Sequence, residues 1–411
     1  MGMNIHARRL AALAAAAILW SALPAAAETF RFKFRDGDQW RVNSVVNETA
    51  YINRIPHHTA EITYRATLKV SDVRTDSAGL TSARHDCTFM TSEKTSNRTL
   101  PWGKEYPSSF RRNALGTLEI DDSYFMPVVR NVPSFPAGDV QVGQNWKGTG
   151  EEAHDFRDDF GIEKPFRVPF EVTYTYVGPQ EKDGKKLHLI AAEYSIFFDS
   201  PATLKAKPGS DVPVTTMGWS KQKILWDNER GIMDSYSEEF RIQLQLDSGR
   251  TFEWRGTSEA TTAATGNLDR EKIADDLNDE ISRLGIADAR AEATEEGVTL
   301  SLENIQFEAD SARLLPSEKD KISKLAAFLE RYPDKELLIT GHTALAGTKE
   351  ARQKLSEERA EAVARYLVER GVRSEYEVYT RGFGAEHPIA PNDTEANRAR
   401  NRRVEITILD K

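Results

Sequence analysis

The chain has 411 residues, which allows two to four domains at about 100–200 residues each. Hydrophobic residues make up 39% and charged residues 29% of the chain, a globular balance that excludes a largely disordered or membrane-filling protein. The formal net charge of −9 argues against a general nucleic-acid-binding protein, because such proteins are normally basic over their binding surface.

The first 27 residues have the organisation of a secretory signal. A positively charged region ends at Arg9, an apolar stretch covers residues 10–23, and three alanines at 25–27 offer a cleavage site before Glu28. The apolar stretch is short for an ordinary membrane-spanning helix, although an uncleaved anchor helix is the alternative. We therefore expect residues 1–27 to be a signal peptide and the protein to be exported.

Residues 28–256 show the period-two pattern of β-strands. In residues 29–34, Phe30, Phe32 and Phe34 alternate with polar residues, which is typical of a half-buried strand. Similar alternation predicts further strands at 61–73, 168–177, 186–198, 239–246 and 251–254. The pattern indicates antiparallel β structure, which we divide near 148–159 into parts 28–150 and 151–256. Soluble, sandwich-like β domains are our interpretation, and an outer-membrane barrel is the competing one.

The pattern changes after this β region. Residues 257–266 are small and polar without periodicity, which predicts a linker. Residues 267–411 then alternate between helical and strand patterns, with a first helix at 268–284. Pro316 is suited to a helix start, and Gly371 to the end of a helix over 349–370. Strands are expected at 298–307, 336–340, 376–381 and 404–409, so this region predicts an α+β sandwich.

Four motif blocks occur in order in this C-terminal region. They are Asn-Ile-Gln-Phe at 304–307, Gly-His-Thr at 341–343 followed by Leu-Ser-x-x-Arg-Ala at 355–360, Gly-Phe-Gly at 382–384, and Asn-Arg-Arg-Val-Glu-Ile at 401–406. Together they resemble the OmpA-like peptidoglycan-associated domain. The resemblance implies a non-catalytic, periplasmic or outer-membrane-associated envelope protein that needs no cofactor and whose partner is the peptidoglycan stem peptide.

The resemblance also implies a binding site. The diamino acid of the stem peptide carries a carboxylate, for which Arg359 and Arg402 match the family's donors, and Thr343 belongs to the same site. In the family an Asp directly follows Gly-His-Thr and an Asn stands eight residues later, whereas this chain has Ala344 and Arg352 there. The ammonium group loses its acceptor, and Glu308 is a candidate substitute. Altered or lost peptidoglycan binding and ordinary wall tethering both stay open.

Arg359 stands out without the family as well. On an ideal helix it lies in the apolar arc with Leu355 and Val363, so it needs either an internal partner or a ligand. A basic run at 398–403 admits a nucleic-acid patch or a solvated helix end, and we favour the latter. His342 is expected to be structural, because no His or Cys lies at metal-ligand spacing.

The β region contains one cysteine and a group of aspartates that could carry chemistry. The single cysteine, Cys87, is interpreted as a strand residue rather than a reactive or metal-binding thiol. Asp155, Asp158 and Asp159 lack the spacing of a calcium loop and are interpreted as a solvated turn. No nucleophile with a base is apparent, so we expect no enzyme and no metal site. The partner of the β region, an envelope protein or a lipid, is not specified by the sequence.

Overall fold

The computed structural model describes residues 27–96, 99–204, 207–307 and 312–410. The predicted signal peptide therefore lies outside the described residues except for Ala27, and Glu308 lies outside them as well.

Most of the first 264 residues of the chain build one antiparallel sheet. The elements of this part of the chain are β1 Gln39–Ile52, β2 Ile55–Thr75, β3 Thr81–Glu93, β4 Leu100–Pro101, β5 Lys104–Asn113, β6 Leu118–Ile120, β7 Val129–Arg130, β8 Asn145–His154, α1 Arg157–Phe160, β9 Phe166–Lys182, β10 Lys185–Asp199, β11 Pro213–Asp227, β12 Ile232–Leu246 and β13 Thr251–Ala264. All of these strands except β4 belong to this sheet. The described residues give this sheet twelve strands, in the order β6-β5-β3-β2-β1-β13-β12-β11-β10-β9-β8-β7. The predicted antiparallel β class is confirmed.

The sheet curls until its two edges approach each other. The edge strands β6 and β7 are consecutive in the chain, and only residues 121–128 join them. The amide of Leu118 donates to Oδ1 of Asn131 at 2.8 Å, and the amide of Phe135 donates to the carbonyl of Leu115 at 2.8 Å. These bonds link the two sides of the seam, so a single curled sheet takes the place of the two packed sheets of a sandwich.

Two expected boundaries fall inside strands. The division after residue 150 lies within β8, which pairs with β9 along its whole length, and most of the predicted linker 257–266 belongs to β13. Here Ser258 and Ala260 are buried and alternate with exposed Glu259. The side chains are too small to give a hydrophobic period, but pairing with β1 and β12 fixes the strand. The partition into domains itself stays a prediction.

The strand predicted at 29–34 was wrong as an assignment, because the segment forms no strand and belongs to no ladder of the sheet. Phe30 and Phe32 are buried in the core of the curled sheet. The ring of Phe32 meets that of Trp226 edge-on at 4.9 Å, and Phe135 also packs on Trp226 at 4.7 Å. The period of two correctly identified the buried face, and these aromatic rings fill one end of the curled sheet.

The C-terminal region is an α+β unit, as predicted. Its elements are α2 Arg270–Leu284, β14 Ala289–Ala293, β15 Gly297–Leu302, α3 Pro316–Leu329, β16 Leu337–Gly341, α4 Lys349–Glu369, β17 Val378–Gly382, α5 Glu395–Asn401 and β18 Val404–Leu409. Pro316 begins α3, and Gly371 adopts φ +74° just beyond α4, where a residue with a Cβ would be strained. None of the helices in the described ranges is long and apolar enough to cross a membrane.

The two regions share a sheet and a small core. The second sheet has the order β14-β15-β18-β16-β17-β4, so β4 from the N-terminal region extends it. Leu100 and Pro101 pair in parallel with Tyr379 and Thr380 of β17. One face of this sheet packs on α2, α3 and α4. On the other face, Leu338 and Tyr379 form an apolar cluster with Met90 and Leu100 of the N-terminal region.

A buried ion cluster reinforces this junction. The carboxylate of Glu336 has no exposed surface. It accepts hydrogen bonds from Nε of Arg65 at 2.5 Å and from Nδ2 of Asn43 at 2.7 Å, and Nε of Arg41 lies 3.4 Å away. A buried carboxylate is stable only when its charge is compensated. Arg65 and Arg41 of the N-terminal sheet supply the positive charge that compensates Glu336.

Candidate functional site

The site predicted from the motifs forms where α4 approaches the ends of β16 and β17. A Cβ on Gly341 would lie 2.0 Å from the carbonyl oxygen of Ser356, and one on Gly382 would lie 2.5 Å from Ser356 Oγ. Ser356 Oγ donates to the carbonyl of Gln353 at 2.7 Å and accepts from the amide of Gly384 at 2.9 Å. The two glycines therefore allow α4, which carries Arg359, to sit directly on the strands.

A buried amide holds the loop on the other side of the site. Oδ1 of Asn401 accepts from the amides of Ile389 and Ala390 at 2.9 and 3.0 Å, and its Nδ2 donates to the carbonyl of Ala390 at 2.8 Å. Asn392 in turn accepts from the amide of Leu345 at 3.0 Å. This chain of bonds connects the loop to the residue after Ala344.

Thr343 and Ala344 line the site as buried residues that contribute little side-chain polarity. The amide of Thr343 donates to the carbonyl of Gly384 at 2.8 Å, which fixes the backbone. Oγ1 of Thr343 is buried and has no hydrogen-bond partner among the described residues. Ala344 is only 5% exposed and offers no acceptor. Arg352 points away toward its own loop, where it donates to the carbonyl of Gly347 at 2.6 Å.

Arg359 is the cation with the least compensation in this site. Its guanidinium lies over the ring of Phe307 at 4.9 Å, a cation–π contact. Within the ranges that the structure describes it has no carboxylate at ion-pair distance, and its buried Nε has no acceptor. Burial, and then the charge of Arg402, lower the pKa of Arg359. The charge of Arg402 thus acts on Arg359, and two interacting guanidinium groups favour an anion near Arg359.

The neighbouring arginines of the basic run are all paired with carboxylates. Arg402 donates to Glu395 at 2.6 Å, and Arg398 bonds to the same carboxylate at 3.0 Å. Arg400 pairs with Glu303 at 3.0 Å. Arg402, about one third exposed, is the member of the run that shares its surroundings with Arg359.

His342 packs beside this site as a structural residue. Its ring stacks on Phe383 at 5.4 Å, and its Nε2 lies 3.3 Å from Glu405. Burial lowers the pKa of His342. Burial alone would raise the pKa of Glu405, but the contact with His342 and the charge of Arg403 outweigh it and lower that pKa to about 2.

The candidates in the β region do not join this site. Cys87 is buried, and burial raises the pKa of its thiol to about 12, which keeps it protonated and unreactive. Asp155 forms an ion pair with Arg157 at 2.6 Å. In the described part of the chain, no group of three or more His, Cys, Asp or Glu side chains is placed to hold a metal ion.

Sequence reasoning missed three residues that support the site. Phe307, Ser356 and Asn401 stood in the motif blocks, but none was assigned a role. Ser356 and Asn401 have no exposed surface. A small or amide side chain between two glycine-containing strand ends is the signal that could have identified them as structural supports.

Comparisons with known proteins agree with this geometry. Residues 306–402 match the family model described as the OmpA family. The probable lipoprotein YiaD of Escherichia coli K12 is 36% identical over 105 residues, which cover 26% of this chain and 48% of that protein. The peptidoglycan-binding protein ArfA of Mycobacterium tuberculosis H37Rv is 40% identical over 104 residues, which cover 25% of this chain and 32% of that protein. The chain thus spans less than half the length of these relatives.

A solved outer membrane protein of Borrelia burgdorferi B31 is 35% identical to this chain, with a TM-score of 0.25. The match covers 29% of this chain and 96% of that one. The family match contains the motif blocks at 341–343, 355–360 and 382–384. The predicted resemblance is therefore confirmed, and residues 306–402 of this chain form an OmpA-family domain.

Proposed function

We propose that this protein is a non-catalytic component of the bacterial cell envelope. Its C-terminal domain binds a carboxylate-bearing ligand through Arg359 and Arg402, and its recognition of the ligand's ammonium group is altered. The ligand class is the peptidoglycan stem peptide. The support is the family match at residues 306–402 and a 40% identical relative that is named a peptidoglycan-binding protein.

The main support for the proposal is that the guanidinium of Arg359 has no carboxylate partner among the described residues. A guanidinium in a half-buried position is costly unless an anion compensates it, and the described residues give Arg359 an aromatic ring but no carboxylate. Arg402 adds a second cation whose charge lowers the pKa of Arg359. A carboxylate bound beside Arg359 would satisfy donors that the described residues leave open, because a guanidinium fork matches a carboxylate in shape and charge.

The altered half of the site follows from Ala344. A methyl group cannot accept a hydrogen bond from an ammonium group, and the side chain of Arg352 is a cation, which would repel one. Thr343 Oγ1 is the buried polar atom nearest in sequence to Ala344, and it lacks a partner among the described residues. A single hydroxyl is a weaker acceptor for an ammonium group than a carboxylate. We therefore expect the site to bind the carboxylate of the ligand as the family does and to bind its ammonium group more weakly.

The test is co-sedimentation of the full chain with insoluble peptidoglycan. We expect weak, saturable binding that Arg359→Ala abolishes. The matched control is Arg365→Ala, which removes an exposed arginine from the same helix and should leave binding unchanged. Equal losses in both variants would mean non-specific attraction by positive charge and would contradict the proposal.

A gain-of-function variant tests the altered half. Ala344→Asp restores the acidic residue that the family has at this place, so it should strengthen binding to the wall by about tenfold or more, since a charge-assisted hydrogen bond contributes about 1.5–3 kcal/mol. Tight binding by the unmodified chain, with no gain from Ala344→Asp, would contradict an altered site.

That contrary outcome would favour a second function, ordinary tethering of the cell wall by an intact site. The unpaired state of Arg359 supports this alternative as much as it supports the altered site, since both use its guanidinium. The two functions differ in what happens to the ammonium group. A stem peptide whose amine has been removed or acetylated keeps its carboxylate, and binding as tight as that of the natural peptide would favour the altered site.

We further propose that the N-terminal sheet lies in the aqueous periplasm. Its outward face carries exposed charges along neighbouring strands, for example Arg167 and Glu171 on β9, Glu193 on β10, and Lys221 and Lys223 on β11. A sheet that spans the outer membrane presents an apolar band there. Partition of the protein without residues 1–27 into buffer rather than detergent is expected, and recovery in the detergent phase would favour the barrel.

A further inference from the structure

The interior of the curled N-terminal sheet contains a cavity of about 490 Å³. Aromatic contacts flank it near both ends of β12. Near one end, Met233 is in register with Trp226, against which Phe32 packs. Near the other end, Leu244 is in register with Phe252, which contacts Phe160 of α1. The stretch from Met233 to Leu244 spans about 36 Å of strand, and residues along this stretch line the cavity.

The walls of the cavity are predominantly apolar. Residues from β1, β3, β12, β13 and the segment that bridges the seam line it, namely Val42, Val46, Phe89, Met126, Ile242 and Trp254. Volumes of about 300–1,000 Å³ with apolar walls and a few placed polar groups are typical of small-molecule sites. Well-packed cores, in contrast, leave few voids larger than a water molecule.

One polar side chain facing this cavity is incompletely compensated. Glu238 accepts hydrogen bonds from Ser220 Oγ at 2.5 Å and Gln222 Nε2 at 3.1 Å, both on Oε1. In the described ranges its Oε2 accepts no hydrogen bond, and no cation lies at ion-pair distance. Burial raises the pKa of Glu238 despite the two hydrogen bonds. The fold thus holds a partly buried carboxylate in a predominantly apolar cavity without a counter-ion, which is costly.

A second carboxylate in the cavity is already satisfied. Glu152 accepts from the hydroxyl of Tyr194 at 2.9 Å, and the ring of His154 lies 3.0 Å from it. A third carboxylate, Glu48, also lines the cavity, but the charges of Glu93 and His58 act on it, whereas Glu238 has only its two neutral donors. We therefore assign the available acceptor to Glu238. Because residues i and i±2 share a face of a strand, Tyr236 and Phe240 flank Glu238 inside the cavity, and aromatic faces attract cations.

We propose that this cavity binds an amphiphilic amine, with the apolar body between the sheet walls and the ammonium group paired with Oε2 of Glu238. An amphiphilic carboxylate is disfavoured, because it would place a further negative charge beside Glu238 and Glu152. A neutral alcohol can fill the apolar space but forfeits the charge-assisted bond. This inference is independent of the C-terminal site, which uses different residues and a different ligand group.

The test compares three ligands of equal chain length on the full protein, namely decylamine, decanol and decanoate, each at concentrations where it is monomeric. Titration calorimetry at pH 7, with the fluorescence change of the tryptophans as a second readout, gives the affinities. We expect decylamine to bind at one site per chain, at least tenfold more tightly than decanol and without measurable binding of decanoate. Equal affinities for the amine and the carboxylate, or no binding of decylamine, would overturn the proposal.

Two variants then locate the charge. Glu238→Gln keeps the acceptor for Ser220 and Gln222 but removes the charge, so it should weaken decylamine at least tenfold and leave decanol unchanged. Glu239→Gln, the exposed neighbour on the same strand, is the matched control and should change neither. Unchanged decylamine binding in Glu238→Gln would overturn the assignment to this residue. Should that variant unfold, the amine-to-carboxylate preference of the natural protein still decides the proposal.

Discussion

The carboxylate of Glu336 accepts a hydrogen bond from Nε of Arg65 at 2.5 Å, although the residues are 271 positions apart, with Arg65 in β2 and Glu336 directly before β16. Both side chains are buried. The C-terminal unit therefore presents a charge that its own elements do not neutralise, and the N-terminal sheet supplies the guanidinium groups of Arg65 and Arg41. The two units are matched at this point by charge as well as by apolar contact.

Glu336→Ala should destabilise the junction strongly. The change leaves Arg41 and Arg65 buried without their counter-ion, and loss of one member of a buried ion pair costs about 3–5 kcal/mol. Urea unfolding followed by fluorescence is the measurement. Glu171→Ala, which breaks the exposed pair with Lys147, is the control and should cost less than about 1 kcal/mol. Similar losses in the two variants would show that the junction is not the source of the stability.

Leu100→Ala should weaken the docking of β4 onto β17. Leu100 has no exposed surface and packs with Met90 and Tyr379 in the core between the regions. Truncation of a buried leucine to alanine costs about 2–5 kcal/mol. Limited proteolysis near residue 100 should become faster. Leu345→Ala is the control, because Leu345 is 59% exposed, and an equal effect there would contradict the role of β4.

Gly341→Ala should displace α4 and damage the carboxylate site. Its Cβ would lie 2.0 Å from the carbonyl of Ser356, a backbone atom that cannot move without the helix. Overpacking of this kind costs about 1–3 kcal/mol, and peptidoglycan co-sedimentation should fall with the melting temperature. Gly138→Ala meets no atom within 4 Å and should change neither quantity. Normal stability of Gly341→Ala would indicate that α4 is not held this closely.

His85 should make stability fall with decreasing pH. Burial, and then the charge of Arg112, lower the pKa of His85 to about 3, whereas an unfolded histidine titrates near 6.5. Between these values the unfolded state binds the extra proton. The contribution of His85 is therefore intact above about pH 6.5 and is lost by about 1.4 kcal/mol per pH unit as the pH falls toward 3.

The measurement is the urea midpoint at pH 7 and pH 5 for the natural protein and for His85→Phe. Phenylalanine keeps the aromatic contacts with Phe34 and Phe110 but cannot titrate. The difference between the two pH values should be smaller in the variant. An identical pH dependence would exclude His85 as a contributor.

The C-terminal fold was predictable because its local signals agree with its tertiary contacts. The helix from Lys349 to Glu369 follows an N-cap at Thr348 and precedes Gly371 with its positive φ. In contrast, β14 reads Ala-Arg-Ala-Glu-Ala, which has no strand preference. It is a strand because it pairs with β15, and a single sequence does not contain that information. The same holds for residues 257–264 of β13.

The candidate site was predictable in part. The position of Arg359 within an apolar helical arc identified it as a charge that needs compensation, and the motifs supplied Thr343 and Arg402. The contact of Arg359 with Phe307 depends on how α4 crosses the strand end, which periodicity does not specify. The cavity beside Glu238 could not be predicted from the sequence, for a related reason. Alternation shows which side chains point inward, but not whether they meet.

The side chain of Thr380 in β17 bonds to the carbonyl of Leu100 in β4, 280 positions away, and this separation has a consequence for the order of folding. A chain that leaves the ribosome from its N-terminus completes the residues of the curled sheet long before Val378–Gly382 exist. Contacts of such separation form late and slowly. Until then, Leu100 and Trp102 have no strand to pair with. A chain arrested after residue 264 therefore exposes an apolar loop, which we expect chaperones or proteases to bind.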